Sequence, residues 1–543
     1  MSSSSLAPPA RALHEDPEIR ARRWFLLGIM CLSLVVVVMS VSGLVTAIPT
    51  MQQELGASAS QIQWVLDAYA VVFAGSLLTA GALGDRFGRK RALLVGLVVF
   101  GAGALFAGIA STASQVIAGR AVMGIGAGLV MPATLSIITT IFPPEERSRA
   151  IAVWAGFAGA GGALGPIVSG ALLEAFWWGS AVLVNLPIVA ATFIAIWVYA
   201  PESRDESETP LDPVGAVLSL VGLSALVFAI IQGGEDGWTS PTVVGASLIA
   251  VLTLALFLRW ERRTAHPMLP LTFFRDRRFS IGSAAITVSF FVMFGFFFLA
   301  TQYLQFARGY SPLEAGLALL PLPIVFVVLS PRSAALAARF GAARIMAAGL
   351  AIVAAGFAAL SLVSPGTSYV SLAAIFALLG AGMSITAAPA TGEIMSAVPL
   401  SKAGIGSAVN DTTRELGGAL GIAILGSIAN SAYRSGIDLS ALGLASGPRS
   451  EAEDSIGAAV AVSANGDAGG AVQHQAASAF TDAFNLASAV SVGIALAAGV
   501  GLLWMSRRRR DGTAPEVTTD FDSGLDRDPD VELIPIGAGA GPE

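Results

Sequence analysis

Residues 71–110 read VVFAGSLLTAGALGDRFGRKRALLVGLVVFGAGALFAGIA, and the reading of this stretch decides the fold. Two apolar runs flank a polar turn, Gly84-Asp85-Arg86-Phe87-Gly88-Arg89-Lys90-Arg91, which holds all five charges of the window. A bilayer core takes about 20 apolar residues per helix, and each flanking run, the first traced back to Ile62, has that length. The chain crosses a membrane, turns within a few residues and crosses back. An α-hairpin through lipid is therefore the repeating unit.

Working outward, the same pattern recurs along all 543 residues, 55% of them hydrophobic and only 13% charged. Soluble domains are about a quarter charged. Windows of about 19 residues place fourteen spans, the first over Trp24–Ile48, the thirteenth over Gly404–Asn430 and the last over Ala483–Met505. The first run is too long for a cleaved signal, and further spans follow it. The formal net charge of −6 belongs to the tail, because Asp511–Glu543 carries nine acids and one arginine. That composition predicts disorder over 506–543, as does the polar start of the chain over 1–23.

Basic residues set the orientation. With the N-terminus in the cytoplasm, 26 of the 31 Lys and Arg residues fall in cytoplasmic segments, as the positive-inside rule requires. An even number of spans returns the C-terminus to the same side. Only Lys90 and Lys402 stand against 29 arginines, among abundant Ala and Gly, a bias of high-GC bacterial coding. The expectation is a multi-pass protein of the bacterial inner membrane. The long segment Ser431–Asp482 falls outside, and its Ala, Gly, Ser and acids read as a flexible surface loop or as a lid over an outer vestibule.

Charges inside spans are the candidate functional residues, because each costs about 2.5–3.5 kcal/mol at mid-bilayer. Arg120 in the fourth span and Asp67 in the second are expected at the same depth, roughly 8 Å from the outer surface at 1.5 Å per residue. They are expected to pair, either as a static lock or as a proton-responsive couple. In the thirteenth span, Asp411, Arg414 and Glu415 place two carboxylates beside one arginine. Asp411 and Glu415 share a helix face, and one acid is under-compensated. Asp411 reads equally as a hydrated residue at the inner mouth, and Glu393 as a solvated helix-end charge. None of the three histidines falls in an expected span, so proton chemistry is expected to run on carboxylates. The lone Cys31 excludes an internal disulfide. Gly124-x-Gly126-x-Gly128 lies inside a span and reads as helix packing, and no phosphate loop is present. Neither ATP drive nor enzymatic chemistry is expected.

The turn Gly81–Arg91, with Gly84, Asp85, Arg86, Gly88, Arg89 and Lys90, resembles the cytoplasmic loop motif of the major facilitator superfamily. A weaker echo stands at Ala338-Arg339-Phe340-Gly341-Ala342-Ala343-Arg344. Arg120-x-x-x-Gly124 resembles the superfamily's intramembrane arginine motif, and Gly161-x-x-x-Gly165-Pro166-x-x-Ser169-Gly170 the motif associated with proton antiporters. With Asn185, the segment Gly309–Gly316 and Asn410–Gly418, the chain is similar to the fourteen-helix drug:proton antiporter family from Trp24 to Met505.

The resemblance implies an all-α membrane protein of the major facilitator fold: a six-helix bundle over 24–199, linker helices 7 and 8 over 200–278, and a second six-helix bundle over 279–505 that includes 431–482. It implies proton-coupled export of lipophilic, cationic drugs by alternating access. An exporter of one endogenous product and a non-transporting scaffold are the rival readings. Asp85, Arg86 and Arg89 are expected to latch the inner end. Ser40, Trp64, Asp67, Phe294 and Glu415 are the expected substrate contacts, although the run Phe290–Phe298 reads first as lipid-facing or core aromatics and only second as the lining of a drug pocket. Ser40 and Val45 stand where the family often carries an acid and an asparagine, which leaves the proton role to Asp67 and Glu415. No cofactor, metal or nucleic acid is implied. The expected partners are lipid, protons and a small-molecule substrate, with the protein a monomer.

Overall fold

The computed structural model describes residues 13–205, 210–235, 237–442, 444–463 and 469–507. The expectations for residues 1–12 and for the acidic tail beyond 507 lie outside the described residues. Fourteen helices among those described are long and apolar enough to cross a bilayer. They are α1 Pro17–Ile48, α2 Ser60–Phe87, α3 Arg89–Gly108, α4 Ala113–Ile141, α5 Pro144–Leu173, α6 Ser180–Tyr199 and α7 Pro213–Gly234. The second seven are α8 Pro241–Glu261, α9 Arg277–Ala307, α10 Leu313–Phe340, α11 Ala342–Leu360, α12 Tyr369–Ser396, α13 Leu400–Gly436 and α14 Gly469–Ser506.

Local chemistry sets the ends. The Asp16 carboxylate accepts from the Glu18 amide at 2.8 Å and Pro17 occupies the first turn, so α1 starts seven residues before Trp24. The disorder expected up to residue 23 is thus corrected: a good N-cap followed by proline starts a helix even in a polar stretch. The same helix continues to Leu55 and stops where Gly56 takes a left-handed φ of 58°. Gly88 (φ 113°) separates α2 from α3, and Gly341 (φ 89°) separates α10 from α11 at the equivalent turn of the echo. Ser311 and Glu314 form a capping box that opens α10, which accounts for the Ser-Pro-x-Glu spacing.

Two hydrophobic clusters organise the interior. One collects α1–α6 around Leu26, Phe100, Val130 and Trp154. The other collects α9–α14 around Phe296, Phe376, Tyr433 and Phe484, with Leu223 of α7 and Phe257 of α8 attached. In lipid, apolar burial gives little drive for helix association, so small residues that admit close backbones matter more. A Cβ on Gly126 would stand 2.4 Å from the Phe100 amide of α3, whereas Cβ atoms on Gly124 and Gly128 would meet Tyr69 and Ser76 of α2. The alternate glycines of α4 therefore serve two neighbours, as the packing reading requires. Between the clusters, α2 meets α13 and α5 meets α10 and α12, while α7 lies against α8, α2 and α13.

Ser431–Asp482 departs from the expected flexible loop. The helix of α13 runs to Gly436, short helices cover Ser446–Asp454 and Ile456–Ser463, and α14 begins at Gly469, fourteen residues before Ala483. Ala452, Ile456, Ala459 and Val472 are buried in the second cluster, and the Tyr433 hydroxyl donates to the Ala452 carbonyl at 2.9 Å. Small and apolar residues three or four apart among polar ones, as at Ala452, Ile456 and Ala459, supply one apolar face, which the composition hid. His474 consequently lies within a helix, on its exposed side.

Candidate functional site

The site is built on α2 and α13, which cross at Gly81 and Gly404. A Cβ on either glycine would stand 2.6 Å from the other's carbonyl oxygen, so the two backbones touch. One turn along α2, Asp85 closes the contact. Its carboxylate accepts from the Gly404 amide at 2.8 Å and the Ile405 amide at 3.0 Å. These are unpaired N–H groups at the positive end of a helix, a natural seat for an anion. Arg89 donates to the same carboxylate from Nε at 3.0 Å and Nη2 at 2.7 Å. Its Nη2 also donates to the carbonyls of Leu400 at 2.6 Å and Ser401 at 3.2 Å. Both side chains are buried. The expected contacts of Asp85 and Arg89 with a neighbouring helix end are thus present. Arg86 makes no hydrogen bond or ion pair among the described residues. Gly84 and Gly88 shape the turn, and Lys90 donates from its amide to Glu202 just beyond α6 and from its ammonium to the Trp197 carbonyl within α6.

From this crossing, α2 and α13 run antiparallel into the membrane. Counting back 14 residues from Gly81 gives Asp67, about 21 Å away; counting 11 from Gly404 gives Glu415, about 16 Å away. At about 100° per residue, Asp67 lies about 40° from Gly81 around its helix and Glu415 about 20° from Gly404. The two acids therefore lie at similar depth on α2 and α13. One Asp67 carboxylate oxygen is buried without a hydrogen-bond partner.

Arg120 does not pair with Asp67. Its guanidinium donates to the Val65 carbonyl at 3.1 Å and the Ser40 carbonyl at 3.5 Å, and lies 4.3 Å from the centre of the Tyr69 ring. Depth matched, but azimuth did not: Val65 and Tyr69 share one face of α2, and Asp67 is about 200° around from Val65. The arginine is satisfied by carbonyl oxygens and an aromatic face, with Nη2 left unpartnered.

On α13, Arg414 and Asp411 stand together. Arg414 lies 3.6 Å from Asp411 and over the rings of Phe290 at 4.5 Å and Trp154 at 5.5 Å. Asp411 also accepts from the Asn410 side-chain Nδ2 at 3.2 Å, and its second oxygen is buried and unpartnered. Asp411 is fully buried, so its reading as a hydrated mouth residue is corrected. Glu415 is half-buried and lies within electrostatic reach of Tyr69. The cluster therefore spans both bundles through Tyr69, Arg120, Arg414 and Glu415.

The remaining candidates divide. Gly161 and Gly165 press α5 onto α1: a Cβ on Gly165 would stand 2.1 Å from the Ser42 hydroxyl and 2.6 Å from the Gly43 amide. Pro166 faces Gly316 of α10, and Gly170 approaches Thr46 of α1. The Ser40 hydroxyl is buried and donates back to Val37, so only its carbonyl reaches Arg120. Trp64 stacks on Phe228 of α7 at 5.6 Å. Phe294 rests on Gly418 beside Phe290, next to Arg414. Tyr69 and Trp154 were not among the expected residues. An aromatic one turn from a residue opposite an intramembrane arginine is the signal that could have found Tyr69.

Residues 30–422 match the family model described as Major Facilitator Superfamily. The multidrug efflux pump LfrA of Mycolicibacterium smegmatis is 36% identical over 83% of this chain and 90% of its own length. The methyl viologen resistance protein SmvA of Salmonella typhimurium is 34% identical over 90% of this chain and 100% of its own length. The human organic anion transporter MFSD10 shares the fold, with a TM-score of 0.56 at 14% identity over 88% of this chain and 100% of its own.

Proposed function

Because the chain belongs to the Major Facilitator Superfamily, we propose that it is a multidrug exporter of the drug:proton antiporter type, moving lipophilic cations out of the bacterial cytoplasm in exchange for protons. Both termini and the Asp85–Arg89 clasp lie on the cytoplasmic side, as the distribution of Arg and Lys favours. The two bundles rock about a site near the midplane, and the clasp holds that site shut from the cytoplasm. Relatives named for multidrug efflux and for resistance to methyl viologen, an aromatic dication, agree with a cationic substrate.

The observation that carries this reading is the charge balance of the ionisable residues inside α2, α4 and α13, away from the helix ends. Asp67, Asp411 and Glu415 give three negative charges; Arg120 and Arg414 give two positive ones. One negative charge is in excess, in a setting where an uncompensated charge is costly. A proton or a cationic substrate neutralises it, and each displaces the other. Arg120 and Arg414 do not titrate at physiological pH, and aromatic faces hold both in place. The exchange therefore runs on Asp67 and Glu415, which lie at similar depth on α2 and α13, with Phe294 offering aromatic surface to the substrate.

Inside-out proteoliposomes with an acid interior provide the test. Several chemically unrelated cationic dyes should accumulate, and collapse of the pH gradient should stop them. Accumulation of a single compound would make the protein a dedicated exporter, and no accumulation under any gradient would leave a non-transporting scaffold.

A further inference from the structure

The chain leaving α6 does not hang free beneath the bundles. From Pro201 to Asp205 it runs along the turn between α2 and α3 as a strap. The Arg89 amide donates to the Ser203 carbonyl at 2.9 Å, and the Asp205 amide donates to the Asp85 carbonyl at 2.7 Å. Glu202 accepts from the Lys90 amide at 3.0 Å and lies 3.6 Å from the Arg91 guanidinium. Gly88 is needed here twice over: its φ of 113° suits glycine, and a Cβ would stand 2.6 Å from the Glu202 carboxylate. The strap is thus held to the first bundle through backbone and side chain together.

Its last residue reaches the other bundle. The Asp205 carboxylate is 3.1 Å from the Lys402 ammonium, with Asp205 at 6% exposure. Lys402 follows directly on Leu400 and Ser401, whose carbonyls receive Arg89. Beyond the strap the chain enters α7, which lies against both α2 and α13. Any motion that separates α2 from α13 must therefore break this pair as well as the Asp85 contacts.

We infer that Asp205 and Lys402 form a second clasp between the bundles, and that the strap of residues 201–205 ties the inserted α7–α8 hairpin to the gate. This rests on the reading of the Asp85–Arg89 contact as an inner gate. In that account Asp205 is a positioning residue: it touches neither substrate nor proton, and it acts by holding Lys402, and with it the start of α13, against the turn. The pair is largely shielded from water at one partner, where an ion pair keeps more of its strength than on an open surface.

The experiment uses the full-length protein in nanodiscs, spin-labelled at exposed positions on either side of the closed end, Ser148→Cys on α5 and Ala338→Cys on α10. Double electron–electron resonance then reads the separation of the bundles there. Asp205→Asn and Lys402→Gln should each move the distribution toward longer distances, and the reversed pair Asp205→Lys with Lys402→Asp should bring it back. Asp85→Asn serves as the reference for the gate itself. A shift with Asp85→Asn but none with Asp205→Asn or Lys402→Gln would overturn the second clasp and leave the gate standing. No shift with any of the three would overturn the gate reading, and the clasp with it. A shift that the reversed pair fails to restore would show that the two residues act separately, which also overturns the clasp.

Discussion

The closed end and the charged groups deeper along the same helices handle buried charge in opposite ways. At the closed end, the Asp85 carboxylate collects two backbone amides and a two-nitrogen contact from Arg89, which in turn reaches two carbonyls. Its polar atoms have partners. Deeper along the helices, Asp67, Asp411 and Arg120 each keep a buried atom without a hydrogen bond, and both arginines lean on aromatic rings. A contact that must hold one state is served by saturating its polar groups. A site that must exchange ligands is served by leaving capacity unfilled, because a bound cation or proton then supplies what the protein lacks. On the proposed function the protein needs both, about 27 Å apart along α2 from Asp85 to Asp67.

Four variants break or sharpen this contrast. The largest effect is expected for Gly404→Leu, whose side chain has no room against the Gly81 carbonyl. Closure at that end should fail and dye export should fall by at least about tenfold, measured in vesicles beside a check of membrane abundance. Asp85→Asn keeps the shape but removes the charge from several charge-assisted bonds, each of which contributes about 1.5–3 kcal/mol. The population open at that end should rise by about tenfold or more, read by spin-label distances. Tyr69→Leu should destabilise the protein by about 2 kcal/mol through loss of the ring beneath Arg120. Tyr69→Phe should not, and thermal unfolding in detergent compares the two. The smallest effect belongs to Arg339→Ala in the echo of the turn. That side chain is exposed and lies only against the adjacent Phe340 ring, so export should remain within about twofold of the parent.

The membrane character and the number of spans were legible because composition and run length answer to bilayer thickness alone. The turn after α2 was legible for a similar reason: Gly88 and Asp85 carry local requirements that the sequence states directly. What failed was azimuth. Asp67 and Arg120 were matched by depth, yet a helix presents a different face every residue, and only the packed structure shows which face of α2 meets α4. Asp205 was missed because a charged stretch after a span reads as solvated linker, and its partner Lys402 lies almost two hundred residues on. The segment Ser431–Asp482 was misread because its alanines count as bland in composition while forming one buried side of short helices.

The central claim is that Asp67 and Glu415 together form the exchange site, and substrate-induced proton release tests it most directly. Purified protein in weakly buffered detergent receives saturating dye, and a pH indicator counts the protons released. The parent should release protons on binding. Asp67→Asn and Glu415→Gln should each reduce the release, and the double variant should abolish it while still folding. Full release from the double variant would contradict the account and hand the exchange to Asp411.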